Sequence, residues 1–418
     1  IFIPLAGLLV KILMPFNKKL KEREKFAKDS ADVLDLIDKN KNTVWFHASS
    51  MGEFEQAKPI IERLRKEEVK LNVVCSFYSP SGYNNQKEYD FADAVVYMPF
   101  DTAHNAKRFI NKINPSLAIF IRYDIWRNHL KVLKNKNIPV WLADATKPGS
   151  GFARSNFLIG FTKSNYSFFD KIYTLTDQDF KYFNSLGLNT EIIKSSDTRF
   201  DRIIEKVEEA GKTNILSGDL FDENDFIVVA GSSWSADEKI LISAEERINE
   251  MPKRLRLIIV PHEPTEKHIA ELKEKLPKSI LYSELLSKFK DDFKEINLEG
   301  SHIIIDKIGI LLNLYSIADA AYIGGAFGAG VHSVTEPAGY SIPLACGLGM
   351  ENSPDAVNLK KIGALEVVKN EKELYNWLRS IIMYDDQKNK YGELAGNYVY
   401  RSRGSSAIIV KKKKKILK

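Results

Sequence analysis

The 418-residue chain carries 61 basic and 55 acidic residues, a net charge of +6, with 44% hydrophobic and 28% charged side chains. This length holds two domains with full cores, the composition excludes a disordered chain, and the basic excess is too slight to argue for nucleic-acid binding. Two distant cysteines in apolar stretches, Cys75 and Cys346, and the lack of any CxxC, HxxxH or HExxH spacing exclude a disulfide framework and make a zinc site unexpected.

Residues 1–16 form an apolar run broken by Lys11. It is shorter than the ~20 residues of a spanning helix and is followed by a basic amphipathic stretch from Lys18 to Lys28. No small-residue cleavage site follows, which argues against a signal peptide. Residues 1–28 therefore read as a membrane-associated segment with its lysines on anionic headgroups, or else as a helix packed on the first domain.

From Thr43 short apolar runs alternate with amphipathic segments. Strands are expected at Thr43–Ala48, Leu71–Phe77, Ala94–Met98, Leu117–Ile121, Val140–Ala143 and Lys171–Leu175, with helices at Phe54–Glu67 and Ala103–Ile113. After residue 220 the alternation resumes, with strands Phe226–Ala230, Arg256–Val260, His302–Ile305 and Ala320–Ile323, and helices Asp237–Ile248, Thr265–Lys275 and Leu311–Ile317. Such βα alternation gives parallel sheets covered by helices on both faces. Two Rossmann-like domains facing a cleft, at 29–205 and 206–400, are expected around a polar connection near Ser195–Gly218. Ligands would lie at the carboxyl ends of the strands. Residues 401–418 read as a basic tail whose lysines Lys411 to Lys415 are either a solvated end or added membrane charge.

Six stretches stand at strand ends. His47-Ala48-Ser49-Ser50-Met51-Gly52-Glu53 puts Glu53 at a helix start, where it serves either the helix dipole or, as a general base, an arriving hydroxyl. Ser79-Pro80-Ser81-Gly82-Tyr83 is a hydroxyl-rich turn, a weak signal alone. Arg122-Tyr123-Asp124-Ile125-Trp126 gathers a cation, a carboxylate and an aromatic after one strand. Gly231-Ser232-Ser233-Trp234 suits a phosphate or a plain helix cap. His262, in Pro261–Pro264, either faces a base or phosphate or is an ordinary loop histidine. The glycine-rich stretch Ala318–Cys346 reads as strand, glycine loop, helix N-terminus, helix and strand, with Gly324 and Gly325 allowing close approach of a ligand and Glu336 one turn into the helix as a partner for ribose hydroxyls.

Taken together and in order, HASSMGE, YSPSGY, YMPFDT, RYDIW, DTRFDR, GSSW, PHEP and IGGAFGAGVHSVTEPA resemble the 3-deoxy-D-manno-octulosonic-acid (Kdo) transferases of lipopolysaccharide synthesis. The resemblance implies the GT-B fold, an acceptor on the N-terminal domain, a nucleotide on the C-terminal one, and attachment to the cytoplasmic face of a bacterial inner membrane. It also implies a CMP-Kdo donor, a lipid A precursor as acceptor, no metal or other cofactor, and inversion at the anomeric carbon. Glu53 matches the family's catalytic carboxylate, and Asp124, standing where the family has a glutamate, is expected beside it as a catalytic residue. Ser232, Ser233, Trp234, His262, Gly324, Gly325, His332, Ser333, Glu336 and Asn352 are expected on the nucleotide side, and Ser79, Ser81 and Arg122 on the acceptor side.

The sequence departs from the family pattern at Arg122 (usually glutamate), Arg127 (proline) and Ser333 (asparagine), and the later segment Gly347–Asn352 lacks the usual histidine. Two other readings of the same elements are a UDP-sugar transferase or epimerase of the same fold, and a catalytically silent membrane-bound scaffold.

Overall fold

Apolar runs bounded by turn formers become strands covered on both faces. The computed structural model describes residues 26–27, 30–68, 70–148, 156–210, 212, 215–216, 220–248, 251–288 and 302–415. The chain divides into two compact units, one of Ile1–Arg202 with Ser402–Lys418 and one of Ile203–Arg401.

The first unit holds a seven-stranded parallel sheet of β1 (Asn42–Ala48), β2 (Leu71–Phe77), β3 (Ala94–Tyr97), β4 (Leu117–Ile121), β5 (Val140–Ala145), β6 (Lys171–Thr174) and β7 (Glu191–Lys194), in the order β3-β2-β1-β4-β5-β6-β7. Between them run α1 (Met51–Glu67), α2 (Pro80–Gln86), α3 (Ala103–Ile113), α4 (Arg127–Asn135), α5 (Asn156–Tyr166) and α6 (Asp177–Ser185), and α7 (Arg199–Ala210) follows the last strand and carries the unit boundary. Every residue of β2 is buried, as expected of a parallel strand covered on both faces. Its polar members are paired inside: Asn72 Nδ2 donates to Asp38 O at 2.7 Å and to Thr43 Oγ1 at 3.2 Å. β1 and β4 are neighbours although β2 and β3 intervene in the chain, so the strand order reverses there and leaves a crevice beyond their carboxyl ends.

The second unit repeats the plan. Strands β8 (Asp225–Ser233), β9 (Arg254–Pro261), β10 (Ser279–Leu281), β11 (His302–Ile304), β12 (Ala320–Ile323), β13 (Leu344–Cys346) and β14 (Leu365–Val367) form a parallel sheet in the order β10-β11-β9-β8-β12-β13-β14. Its reversal lies between β8 and β12. The helices are α8 (Ser235–Glu245), α9 (Glu266–Lys275), α10 (Tyr282–Lys288), α11 (Leu311–Leu314), α12 (Thr335–Gly339), α13 (Pro354–Lys361), α14 (Glu371–Met383) and α15 (Asp385–Tyr400).

After α15 the chain returns to the first unit through α16 (Ser405–Lys411), which packs against α1. Asp201 caps it, accepting from Gly404 N at 2.5 Å and Ser406 N at 2.6 Å. Ile409 and Val410 join the first unit's core, each burial contributing roughly 1.5–3 kcal/mol. Lys413, within the lysine run, is itself buried and reaches Glu67 at 3.3 Å. Residues 402–415 are thus tied to the first unit by packing and capping as well as by charge.

Several local expectations change. The hydroxyl-rich turn at Ser79–Tyr83 is the start of α2: Ser79 Oγ accepts from Gly82 N at 3.1 Å and Pro80 takes the first helical position, where its missing N–H costs nothing. Gly231–Ser233 is not a loop but the end of β8, with a register shift against β9 and Ser232 at φ +53°. The polar connection contains α7. Residues 1–25, which hold most of the expected membrane-associated segment, lie outside the described residues, and among the described residues no helix is long and apolar enough to cross a membrane. Both cysteines are free and buried.

Candidate active site

Two polar clusters occupy the two strand reversals, one in each unit. The first is assembled from the ends of β1 and β4. Ser50 caps α1, its Oγ accepting from Glu53 N at 3.4 Å, while Glu53 Oε2 accepts from Ser50 N at 3.0 Å. This reciprocal capping box starts α1 at Met51 rather than at Phe54 and fixes the Glu53 carboxylate over the strand end. From β4, Asp124 Oδ2 accepts from Ser49 N at 3.0 Å and lies 3.4 Å from His47 Nε2. Glu53 is only 6% exposed. Its carboxyl is held above the usual carboxylate range, first by burial and then by the charge of Asp124; the Ser50 N–H and His47 pull it partly back.

Beside this pair, Arg122 takes a left-handed backbone, φ +65°, and its Nε donates to Gln56 Oε1 at 2.7 Å. Gln56 Nε2 donates in turn to Asp197 Oδ1 at 3.3 Å, which Arg199 also grips. Thr198 bridges Gln56 O, at 2.7 Å, and the carboxylate of Asp144. Asp144 is wholly buried at the end of β5, and burial, then the charge of Asp197, hold it well above the ordinary carboxylate range. Ser79 N donates to Ser49 O at 2.9 Å, which joins α2 to the same cluster. Ser81 lies in α2, and its side chain is outside the described residues.

The second cluster is aromatic and rich in backbone. Trp234, His262 and His332 form a ladder, with ring centroids 5.0 Å apart between Trp234 and His262 and 4.3 Å between His262 and His332. Trp234 Nε1 donates to His332 Nε2 at 3.2 Å. Burial, and then His262, hold His332 below the ordinary histidine range. Under the ladder, Asp237 accepts from Trp234 N at 3.0 Å, Gly325 N at 2.9 Å and Tyr322 Oη at 3.0 Å; burial nonetheless raises its carboxyl.

The glycines of this unit answer to close packing. A Cβ on Gly324 would strike Ser232 O and lie 2.6 Å from Ser233 Cα, and Gly325 sits at φ +92°. Asn352 pins the loop by two hydrogen bonds to Val331, accepting from its N at 3.1 Å and donating to its O at 3.2 Å. Ser233 is buried and donates to Glu238 Oε1 at 2.9 Å. Ser333 Oγ lies 3.4 Å from Thr335 Oγ1.

The helix expected directly after the glycines starts only at Thr335 and ends at Gly339, so Glu336 is its second residue rather than a turn inside. The long loop from Gly324 to Val334 absorbs the residues assigned to it. Glu336 lies near Tyr315 and Tyr340; burial, then Glu336, push the Tyr340 phenol up to about 12.

Sequence reasoning singled out neither Asp237 nor Asp144. Asp237 follows Trp234 at capping-box spacing, a readable signal; Asp144 is an acid inside the apolar run VWLADA, a weaker one.

Two parallel-sheet units, each with a polar cluster at its strand reversal, have the GT-B-like two-domain α/β architecture. Solved structures share that fold: UDP-GlcNAc 2-epimerase from Neisseria meningitidis (TM-score 0.57, 12% identity, covering 89% of this chain and 100% of that one) and MurG from Acinetobacter baumannii (TM-score 0.51, 12% identity, 90% and 99%). Residues 18–202 match the family model described as 3-deoxy-D-manno-octulosonic-acid transferase. A relative from Aquifex aeolicus, curated as 3-deoxy-D-manno-octulosonic acid transferase, is 29% identical over 371 residues, covering 87% of this chain and 93% of its own. Residues 18–202 thus carry a Kdo transferase family domain, and the chain is similar to Kdo transferases over most of its length.

Proposed function

We propose that this protein is an inverting glycosyltransferase that moves Kdo from CMP-Kdo to a sugar hydroxyl of a lipid A precursor. The observation that carries the reading is the Glu53–Asp124 pair at the strand reversal of the first unit. Glu53 is buried, oriented by the capping box, and held above the usual carboxylate range, the state of a group suited to accept a proton near neutral pH. In this reading Glu53 takes the proton of the acceptor hydroxyl as its oxygen attacks the anomeric carbon, and CMP leaves from the opposite side. One base and one in-line displacement give inversion without a covalent intermediate. Asp124, held by Ser49 N, stabilises the charge pattern around that base.

In the second unit the Trp234–His262–His332 ladder supplies a flat apolar face for a nucleotide. Gly324 and Gly325 bring backbone close to it, with Ser232, Ser233, Ser333, Glu336 and Asn352 shaping the surrounding loops. Arg122, Ser79 and Ser81 serve the acceptor side, where the guanidinium meets an anionic group. Residues 1–28, with their lysines, rest on anionic lipid at the cytoplasmic face of the inner membrane.

The test is a transfer assay with CMP-Kdo made in situ and lipid A precursor, products followed by mass, run beside Glu53→Gln. A gain of Kdo mass that is lost in the variant is the expected result. Thermal protection by UDP but not by CMP would instead point to a UDP-sugar enzyme, and CMP protection without transfer would mean a different acceptor.

A further inference from the structure

His47 is the innermost polar group of the first cluster and is not accounted for by the mechanism above. It is fully buried in β1, in register with Ser76 of β2 and Phe120 of β4. Aromatic rings enclose it: Trp126 lies edge-on at 5.2 Å between centroids and Phe120 at 5.5 Å. Its Nδ1 meets Ser76 Oγ at 2.8 Å, and its Nε2 lies 3.4 Å from both Asp124 Oδ2 and Ser49 Oγ.

The proton inventory around Ser76 decides the tautomer. Trp45 Nε1, which can only donate, gives its hydrogen to Ser76 Oγ at 2.8 Å. The serine's own hydrogen then goes either to His47 Nδ1 at 2.8 Å or to Phe46 O at 3.4 Å. If it went to Phe46 O, a neutral His47 would donate from Nδ1 and set a bare Nε2 against the Asp124 carboxylate, acceptor against acceptor, with only the Ser49 hydroxyl at 3.4 Å left to donate to that nitrogen. With the hydrogen on Nδ1's side coming from Ser76, Nε2 keeps its own proton and directs it at Asp124. The chain Trp45–Ser76–His47 is then satisfied, and its last N–H lies 3.4 Å from both Asp124 Oδ2 and Ser49 Oγ, beside Glu53.

We propose that His47 is a positioning residue: Ser76 fixes its Nε2–H tautomer, and that N–H holds the Asp124 carboxylate in place beside the Glu53 base. The role rests on the reading of Glu53 as base. It joins β1, β2 and the segment after β4 into one unit, so the geometry of both carboxylates follows from a buried ring that touches no substrate. Among the described residues, the charged and titratable groups facing Glu53 are Asp124 and His47, and those facing His47 are Asp124 and, through the aromatic cage, His129.

The test reads the side chains directly, so it does not depend on the substrate. In the intact protein, 15N spectra of the His47 ring, assigned with His47→Gln, should show the Nε2–H tautomer. 13C-carboxyl titration of Glu53, assigned with Glu53→Gln, should show its midpoint moving upward by roughly one pH unit in His47→Leu, where the dianionic pair loses a donor. The midpoint should return most of the way in His47→Gln, whose amide can still donate. The milder Ser76→Ala variant should leave the fold intact but mix the two tautomers. An Nδ1–H tautomer in the wild type, or a Glu53 midpoint unmoved in folded His47→Leu and Ser76→Ala, would overturn the proposal. A parallel transfer assay separates the two claims: a correct titration pattern without Kdo transfer refutes the function and leaves the relay, whereas transfer whose pH limb ignores His47 refutes the relay alone.

Discussion

The two units share one topology and use their strand reversals for opposite purposes. In the first, the ends of β1 and β4 bring carboxylates together against their electrostatic preference: Glu53 and Asp124 are near neighbours, and burial raises Glu53 further. In the second, the ends of β8, β9 and β12 carry stacked rings and bare backbone, and the carboxylate beneath them, Asp237, is tied up by three donors. The same crevice geometry can therefore be tuned toward moving a proton or toward receiving a flat ligand. β1 and β8 both lead into capped helices with an acid at the third position, and what differs is the strand across the reversal, followed by Arg122-Tyr123-Asp124 after β4 and by a glycine run after β12.

The strongest way to break this contrast is to remove the acid from the first cluster. Glu53→Gln should lower the transfer rate by about 10²–10⁴-fold, the range for loss of a general base, while CMP still protects the protein from thermal unfolding. Loss of both together would mean that the clusters are not chemically distinct. The corresponding lesion in the second unit is steric. Gly324→Ala would push a methyl into Ser232 O and Ser233 Cα, both backbone and neither free to swing away. A destabilisation of about 1–3 kcal/mol is expected, seen in chemical denaturation, with CMP protection lost before the base is affected. An unchanged midpoint would show that β8 yields where the packing says it cannot.

Much of this arrangement was legible in the chain. β2, β4, α3 and β12 fall where the apolar periodicity put them, because parallel strands and amphipathic helices impose their pattern directly on sequence. The capping pair Ser50 and Glu53 was equally readable, being local. The extension of β8 through Ser232 and Ser233 was not, since hydroxyl residues beside glycine look like a loop; the strand survives there through a bulge with Ser232 in a left-handed conformation. The docking of α16 on α1 depends on Asp201, some two hundred residues away in sequence, and no periodicity reports such a partner. The contact between His47 and Asp124 needs the β1–β4 neighbourhood, which only the strand order supplies.

The first cluster should also leave a signature in stability. Because the folded state raises the Glu53 carboxyl above its unfolded value, it disfavours the ionised form. Its cost is absent below the unfolded value, about 4.3, and grows as pH rises from there through the folded value. Glu53→Gln should therefore raise the melting temperature near neutral pH, and the gain should vanish on acidification to about pH 4. A variant that melts lower at neutral pH would mean that the carboxylate is held in a stabilising site, and the first cluster would lose its strained character.

The smallest effect sharpens the second cluster. Trp234→Phe keeps a ring over His262 but deletes the hydrogen bond from Trp234 Nε1 to His332 Nε2. That bond requires a bare Nε2, so it favours neutral His332 and acts in the same direction as burial and His262. In the native protein the lowered value means that protonation opposes the fold, and stability is lost as pH falls from the unfolded histidine value, about 6.5, toward the folded one. The variant should move the His332 titration upward and lessen that loss, which 15N spectra and melting curves at several pH values would both register. CMP protection should weaken by about 0.5–1.5 kcal/mol, the net worth of one hydrogen bond, with the stack itself retained. A much larger fall would assign the ladder's function to the donor rather than to the rings. The second cluster would then be, like the first, a site whose chemistry rests on where one proton sits.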